Sequence, residues 1–130
     1  MRYRFLSFIV AVGMAQASAG ALAQSRPPGI GVGETTKGGV LTNARGLTLY
    51  VFDLDKGGVP ACYDKCAELW PAVTVAPGSA AAPGFSEVSR NDGKLQLAYK
   101  GQPLYTWHKD AAPGETGGDG FRDVWHIAKP

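Results

Sequence analysis

The chain has 130 residues, 45% hydrophobic and 18% charged, with 13 Lys and Arg against 11 Asp and Glu. That length supports one domain with one modest core, not two. A net charge of only +2, with no basic run, gives no footing for nucleic acid or anionic lipid as a partner.

Met1-Arg2-Tyr3-Arg4 is a short positive stretch, and Phe5 to Ala15 is apolar apart from Ser7. The run is too short to span a bilayer and has the length of a signal core. Ala21-Leu22-Ala23 supplies an A-x-A cleavage pattern, so residues 1–23 are expected to be a signal peptide cut between Ala23 and Gln24. An N-terminal anchor is the alternative, and the short run followed directly by a cleavage pattern argues against it. No cysteine near the site could accept a lipid, so the expected product is periplasmic or secreted, without a stable membrane anchor. Cleavage removes Arg2 and Arg4, bringing the two signs of charge level, and takes both methionines with it.

Residues 24–33 read as a flexible leading tail. Beyond it the chain matches itself at an ungapped offset of 55: Gly46 falls on Gly101, Leu49 on Leu104, Tyr50 on Tyr105, Asp55 on Asp110, Asp64 on Asp119 and Trp70 on Trp125. Phe52 falls on Trp107, Gly38 on Gly93 and Val40 on Leu95. Two copies of one unit are therefore expected, at residues 34–72 and 89–127 of a domain spanning 34–128. The Pro-, Ala- and Gly-rich stretch 71–84 reads as the linker between them.

In the first unit, Val40 to Thr42 leads into a turn at Asn43-Ala44-Arg45-Gly46, and Leu47 to Phe52 returns. In the second, Phe85 to Arg90 is a strand and Asn91-Asp92-Gly93 a turn. Leu95 to Tyr99 alternates as a half-buried strand, and Lys100-Gly101 turns the chain into a strand from Gln102 to His108. Gly46 and Gly101 fall at matching turns where positive φ is expected. Alternation puts Tyr50 with Phe52, and Tyr105 with Trp107, on equivalent strand faces. With Trp70 and Trp125 they are expected to form the core, since so small a domain needs large apolar side chains; an exposed stacking platform is the rival reading. Asp55 and Asp110 follow their strands at one distance. Turn capping through backbone N–H groups is preferred there to an acid/base pair. The predicted fold is thus mainly β, a small single domain of two pseudo-repeats built from antiparallel hairpins, with one short helix.

Tyr50-Val51-Phe52-Asp53-Leu54-Asp55 and Tyr105-Thr106-Trp107-His108-Lys109-Asp110 both fit Y-x-[FWY]-x-x-D. Between them, Cys62-Tyr63-Asp64-Lys65-Cys66-Ala67-Glu68-Leu69-Trp70-Pro71 fits C-x-x-x-C-A-x-x-W-P. Together these motifs resemble the bacterial secreted-repeat family of unknown function, a predicted lipoprotein family with the Y-x-(FWY)-x-x-D motif. The resemblance covers nearly the whole chain beyond residue 23 and implies an exported envelope protein of tandem repeats. It implies no activity. The lack of a lipid-acceptor cysteine departs from the lipoprotein members and favours a soluble periplasmic protein.

Cys62 and Cys66 are the two cysteines of the chain. Pro60 suits the first turn of a short helix carrying them, and Pro71 would stop it. Export favours a disulfide. Ideal helical spacing would set the two Cα atoms roughly 6 Å apart, near the upper end for a bridge, so a tightened or irregular turn is expected. A Cu(I) site through the two thiolates, with His108 or His126, is the main rival, and a redox-active pair is another. C-x-x-C and C-x-x-C-H are both absent, which speaks against thioredoxin-like chemistry and covalent haem. Asp53, Asp55, Gly58 and Asp64 match a calcium loop only loosely. No G-x-S-x-G occurs. The resulting expectation is a non-catalytic binding or interaction module without a cofactor, its partner an envelope protein or a small ligand. The alternative is a Cu(I)-binding or thiol-redox protein using Cys62 and Cys66.

Overall fold

The computed structural model describes residues 26–130 together with Gly13; the expected signal and its cleavage site lie outside the described residues. Strands β1 (Gly31–Thr35) and β2 (Gly38–Thr42) form one hairpin. Strand β3 (Tyr50–Phe52) follows, then helix α1 (Lys65–Leu69). Strands β4 (Phe85–Ser89), β5 (Leu95–Tyr99) and β6 (Gln102–Pro103) make an antiparallel meander. The last strand, β7 (Trp125–Ile127), pairs antiparallel with β3. The architecture is mainly β in small antiparallel sheets with one short helix, as the hydrophobic alternation predicted.

The two repeats are interlaced. Residues 125–127 close the repeat-2 sequence, yet β7 lies on β3 of repeat 1. The equivalent residues of repeat 1 make the reciprocal pairing. The N–H of Thr106 donates to Pro71 O at 2.9 Å and that of His108 to Leu69 O at 2.9 Å, as the N–H of Asp53 donates to Val124 O at 2.8 Å. Further out, Val73 N–H donates to Leu104 O and Ala128 N–H to Leu49 O, at 2.9 and 2.8 Å. Each repeat therefore lends its C-terminal segment to the other's sheet, and neither half satisfies its backbone alone. At the centre, Tyr50 and Tyr105 exchange both backbone bonds, at 2.8 and 2.9 Å, on the axis relating the halves.

The offset of 55 holds from Gly46 onward but not ahead of the turn that Gly46 ends. Leu49 N–H donates to Leu41 O and Leu104 N–H to Leu97 O, so Leu41 corresponds to Leu97, one residue beyond the ungapped register. The matches of Gly38 with Gly93 and Val40 with Leu95 are corrected accordingly. The extra residue sits in the turn. Repeat 2 uses a two-residue connection, Lys100 and Gly101 at φ 50° and 77°, the positive pair that suits a tight hairpin. Repeat 1 spends one residue more on its turn. There the Asn43 carboxamide oxygen accepts from the N–H groups of Arg45 and Leu47, and Gly46 takes φ 78°.

Two segments are more ordered than composition suggested. Gly31 to Gly33, placed in the leading tail, run in β1. A Cβ at either glycine would approach the Thr42 side chain to 3.0 Å, so the missing side chains that hide the strand from a hydrophobic pattern are what let it lie there. The first residues of the expected linker likewise pair: Val73 O accepts from Leu97 N–H and Val75 N–H donates to Leu95 O. The helix differs too. It holds Cys66 alone; Cys62 lies ahead of it, because Asp64 takes φ 55° and breaks the helical path between them.

Two packed clusters fill the interior. One is aliphatic, around Leu41, Leu49, Leu97 and Leu104; the other is aromatic, around Tyr50, Trp70, Tyr105, Trp107 and Trp125. Trp70 and Trp125 stack with ring centres 3.8 Å apart and planes 2° from parallel. Trp107 lies 4.2 Å beyond Trp70 and Phe52 4.1 Å beyond Trp125, which makes a column of four rings across the pseudo-twofold axis. Tyr50 and Tyr105 meet Trp70 and Trp125 edge-on at 5.4 and 5.1 Å, an arrangement favoured by the ring quadrupoles. Gly118 gives the column room: a Cβ there would come within 2.5 Å of the Trp70 ring. Gly118→Ala is expected to lower unfolding free energy by about 1–3 kcal/mol through overpacking, read from urea denaturation. An unchanged midpoint would show that the column has slack.

Candidate functional site

The repeated motif builds a crossed lock. The Tyr50 hydroxyl donates to Asp110 Oδ2 at 2.5 Å, and the Tyr105 hydroxyl donates to Asp55 Oδ2 at 2.8 Å, so each repeat's tyrosine is held by the other's aspartate. The second oxygen of each carboxylate closes its own loop. Asp55 Oδ1 accepts the N–H of Ala61 at 2.8 Å and Asp110 Oδ1 that of Gly117 at 3.0 Å. Tyr50 and Tyr105 are wholly buried and Asp110 is buried at 5% exposure. Each of the four carboxylate oxygens thus accepts one hydrogen bond from the protein itself. Spacing suggested the loop-closing bonds; the tyrosine bonds need the fold, because an offset gives equivalence without saying whose aspartate meets whose tyrosine.

Burial first, and the neighbouring carboxylates second, push both phenols well above the ordinary tyrosine range. Burial also pushes the Asp55 carboxyl up, against the lowering effect of its Tyr105 and Ala61 hydrogen bonds. For the tyrosines the sign is definite. The folded state keeps protons that the unfolded chain releases near pH 10, so their contribution to stability is whole below pH 10 and falls as pH rises beyond it. Tyr50 and Tyr105 are expected to ionise only together with unfolding in an alkaline titration followed by tyrosinate absorbance. Tyr50→Phe should make stability fall less steeply above pH 10, and an unchanged slope would remove this assignment.

Cys62 and Cys66 are joined by a disulfide, with Cα atoms 5.2 Å apart. Cys62 is fully buried in the aromatic cluster. Its carbonyl accepts from Arg90, whose side chain is 1% exposed and also donates to Asp92 and to the buried Gln96. The Arg90 guanidinium lies 4.5 Å from the centre of the Tyr63 ring. Arg90 therefore pins the cysteine loop of repeat 1 onto the hairpin of repeat 2. The sequence alone did not reveal this role, because the strand before Arg90, Phe85–Ser89, is itself polar and half-exposed and does not mark the arginine as buried. Reduction of so short a loop is expected to cost about 2 kcal/mol, measured by urea unfolding with and without reductant. A loss of native structure on reduction would show that the bridge is essential to the fold.

The histidines stand apart. A ring nitrogen of His108 lies 3.2 Å from Leu69 O, and Nε2 of His126 lies 2.7 Å from Asp53 Oδ2 at the surface. Among the described residues no three His, Cys, Asp or Glu side chains gather as a metal site.

One of the open depressions is a groove of about 380 Å³. It lies where equivalent positions of the repeats face each other: Cys66 opposite Phe121, Leu69 opposite Val124, and the Trp70–Trp125 pair between them. Phe52 and the 52%-exposed Leu54 form one lip. Lys65 and Arg122 also line it, and no Asp or Glu does. Arg122 and Asp123 take φ 49° and 60°, left-handed conformations unusual for side-chain-bearing residues.

No helix among the described residues is long and apolar enough to cross a membrane. Searches of curated proteins and of solved structures find no match to this chain. A family model described as a secreted repeat of unknown function matches twice, at residues 31–74 and 86–129. Those two matches coincide with the interlaced halves, and the chain belongs to this secreted-repeat family.

Proposed function

We propose that this protein is a non-catalytic binding module of the bacterial envelope, exported to the periplasm or beyond and locked in its oxidised form. The observation that carries the reading is the crossed lock: the paired carboxylates, the best acid/base candidates of the chain, already hold two buried tyrosines and two loop N–H groups. The disulfide acts on the same side, since sulfurs bonded to each other offer no thiolate to Cu(I) or to a substrate. The open groove is where a ligand or partner finds apolar surface.

Mass spectrometry of protein recovered from the periplasm, with and without alkylation, tests location and oxidation state together. The expected mass begins at Gln24 and gains no alkyl groups. In parallel, the protein is expected not to accelerate insulin reduction by dithiothreitol. A rate that depends on Cys62 and Cys66 would replace the binding module with a thiol-redox enzyme. Retained copper and two alkylatable thiols would replace it with a metal carrier.

A further inference from the structure

The groove between α1 and the turn at Phe121–Asp123 carries a charge pattern that selects among ligands. Its walls are apolar, from Phe52, Leu54, Val124 and the edges of Trp70 and Trp125. Its ionisable lining residues are Lys65 and Arg122, both cations. Lys65 is 3.7 Å from Glu68, with the two side chains 84% and 72% exposed, a pair that solvent screens to little net value. Arg122 forms no ion pair among the described residues; its guanidinium carbon lies 5.5 Å from the centre of the adjacent Phe121 ring. The backbone holds this arginine at the groove in a left-handed conformation, followed by Asp123 in another. Conformations of this kind persist where the surrounding structure enforces them, and they gather at ligand-binding segments.

An apolar trough lined by Arg122, which has no ion pair among the described residues, and by the weakly paired Lys65 complements a molecule with a hydrocarbon body and one anionic head. A volume of about 380 Å³ lies within the range of small-molecule sites and suits a chain of medium length, not a folded partner. The larger depression beside Trp107 lacks this character, since Lys109 is countered there by Asp110 and Glu115. Building on the binding-module reading, we infer that the groove is a site for an amphipathic carboxylate of the medium-chain fatty-acid class, its body against Leu54, Phe52 and Trp125 and its head at Arg122 and Lys65.

Titration of the full exported chain with decanoate below its micelle concentration, followed by tryptophan fluorescence and calorimetry, tests the assignment. Trp70 and Trp125 line the groove, so saturable one-to-one binding should alter the emission. Decyltrimethylammonium, with the same chain and the opposite charge, is expected to bind at least roughly tenfold more weakly. Arg122→Gln should weaken decanoate binding roughly tenfold, the loss expected for one charge-assisted hydrogen bond. Arg45→Gln, at a residue that does not line the groove, should leave it unchanged. Both arginines are exposed, and a thermal melt of each variant confirms that the fold is retained. Absence of saturable binding, equal binding of the cationic amphiphile, or equal affinity in the two arginine variants would each overturn the assignment. Preferential binding of the cation would do so while leaving a binding module in place. The module reading fails separately, if decanoate is recovered chemically changed.

Discussion

The structure depends on an exchange between its halves. Tyr50 and Tyr105 pair backbone to backbone on the pseudo-twofold axis, and each sends its hydroxyl to the carboxylate of the other repeat. A buried phenol without an acceptor costs about 1–3 kcal/mol, so each half is destabilised unless the other is folded around it. The backbone repeats the message, because β7 completes the sheet of repeat 1 while residues 70–72 complete that of repeat 2. Two short units, each too small for a core of its own, thereby share one.

The shared core explains why the motif takes the form Y-x-[FWY]-x-x-D. The tyrosine sits on the axis, the next aromatic but one extends the ring column from Phe52 to Trp107, and the aspartate reaches back across the axis while closing its own loop. Every element of the motif is thus engaged in holding the halves together. A repeated pair of carboxylates that looks catalytic in a sequence holds two buried tyrosines and closes two loops here.

The two halves differ in how their loops are closed and in what occupies equivalent core positions. Cys62 and Cys66 of repeat 1 correspond to Gly117 and Phe121 of repeat 2, so one loop is closed covalently and its counterpart by glycine-permitted packing against Trp70 and Trp107. Gln96 and Arg90 form a buried polar bracket in repeat 2, whereas Val40 occupies the position equivalent to Gln96. The equivalent positions Cys66 and Phe121 also differ, and both line the groove together with Lys65 and Arg122. An interface between pseudo-symmetric halves is a common place for a ligand, since both contribute walls while neither fills the gap.

Much of this was legible in one dimension. Strand alternation, turn residues at Asn43, Asn91 and Gly101, and the offset from Tyr50 to Trp70 specified a two-unit β fold, because periodicity and turn chemistry are local properties. The glycine-rich β1 escaped notice since glycines at positions 31 and 33 leave it too few side chains to form a hydrophobic alternation, and the one-residue slip ahead of Leu49 is visible only in hydrogen-bond partners. Self-similarity named the equivalent residues, Tyr50 with Tyr105 and Asp55 with Asp110. It could not say that each tyrosine would meet the opposite aspartate, nor that Arg90 would carry the cysteine loop, nor that Lys65 and Arg122 would share one apolar groove. Those pairings join residues separated by tens of positions, and they exist only once the two halves have folded through each other.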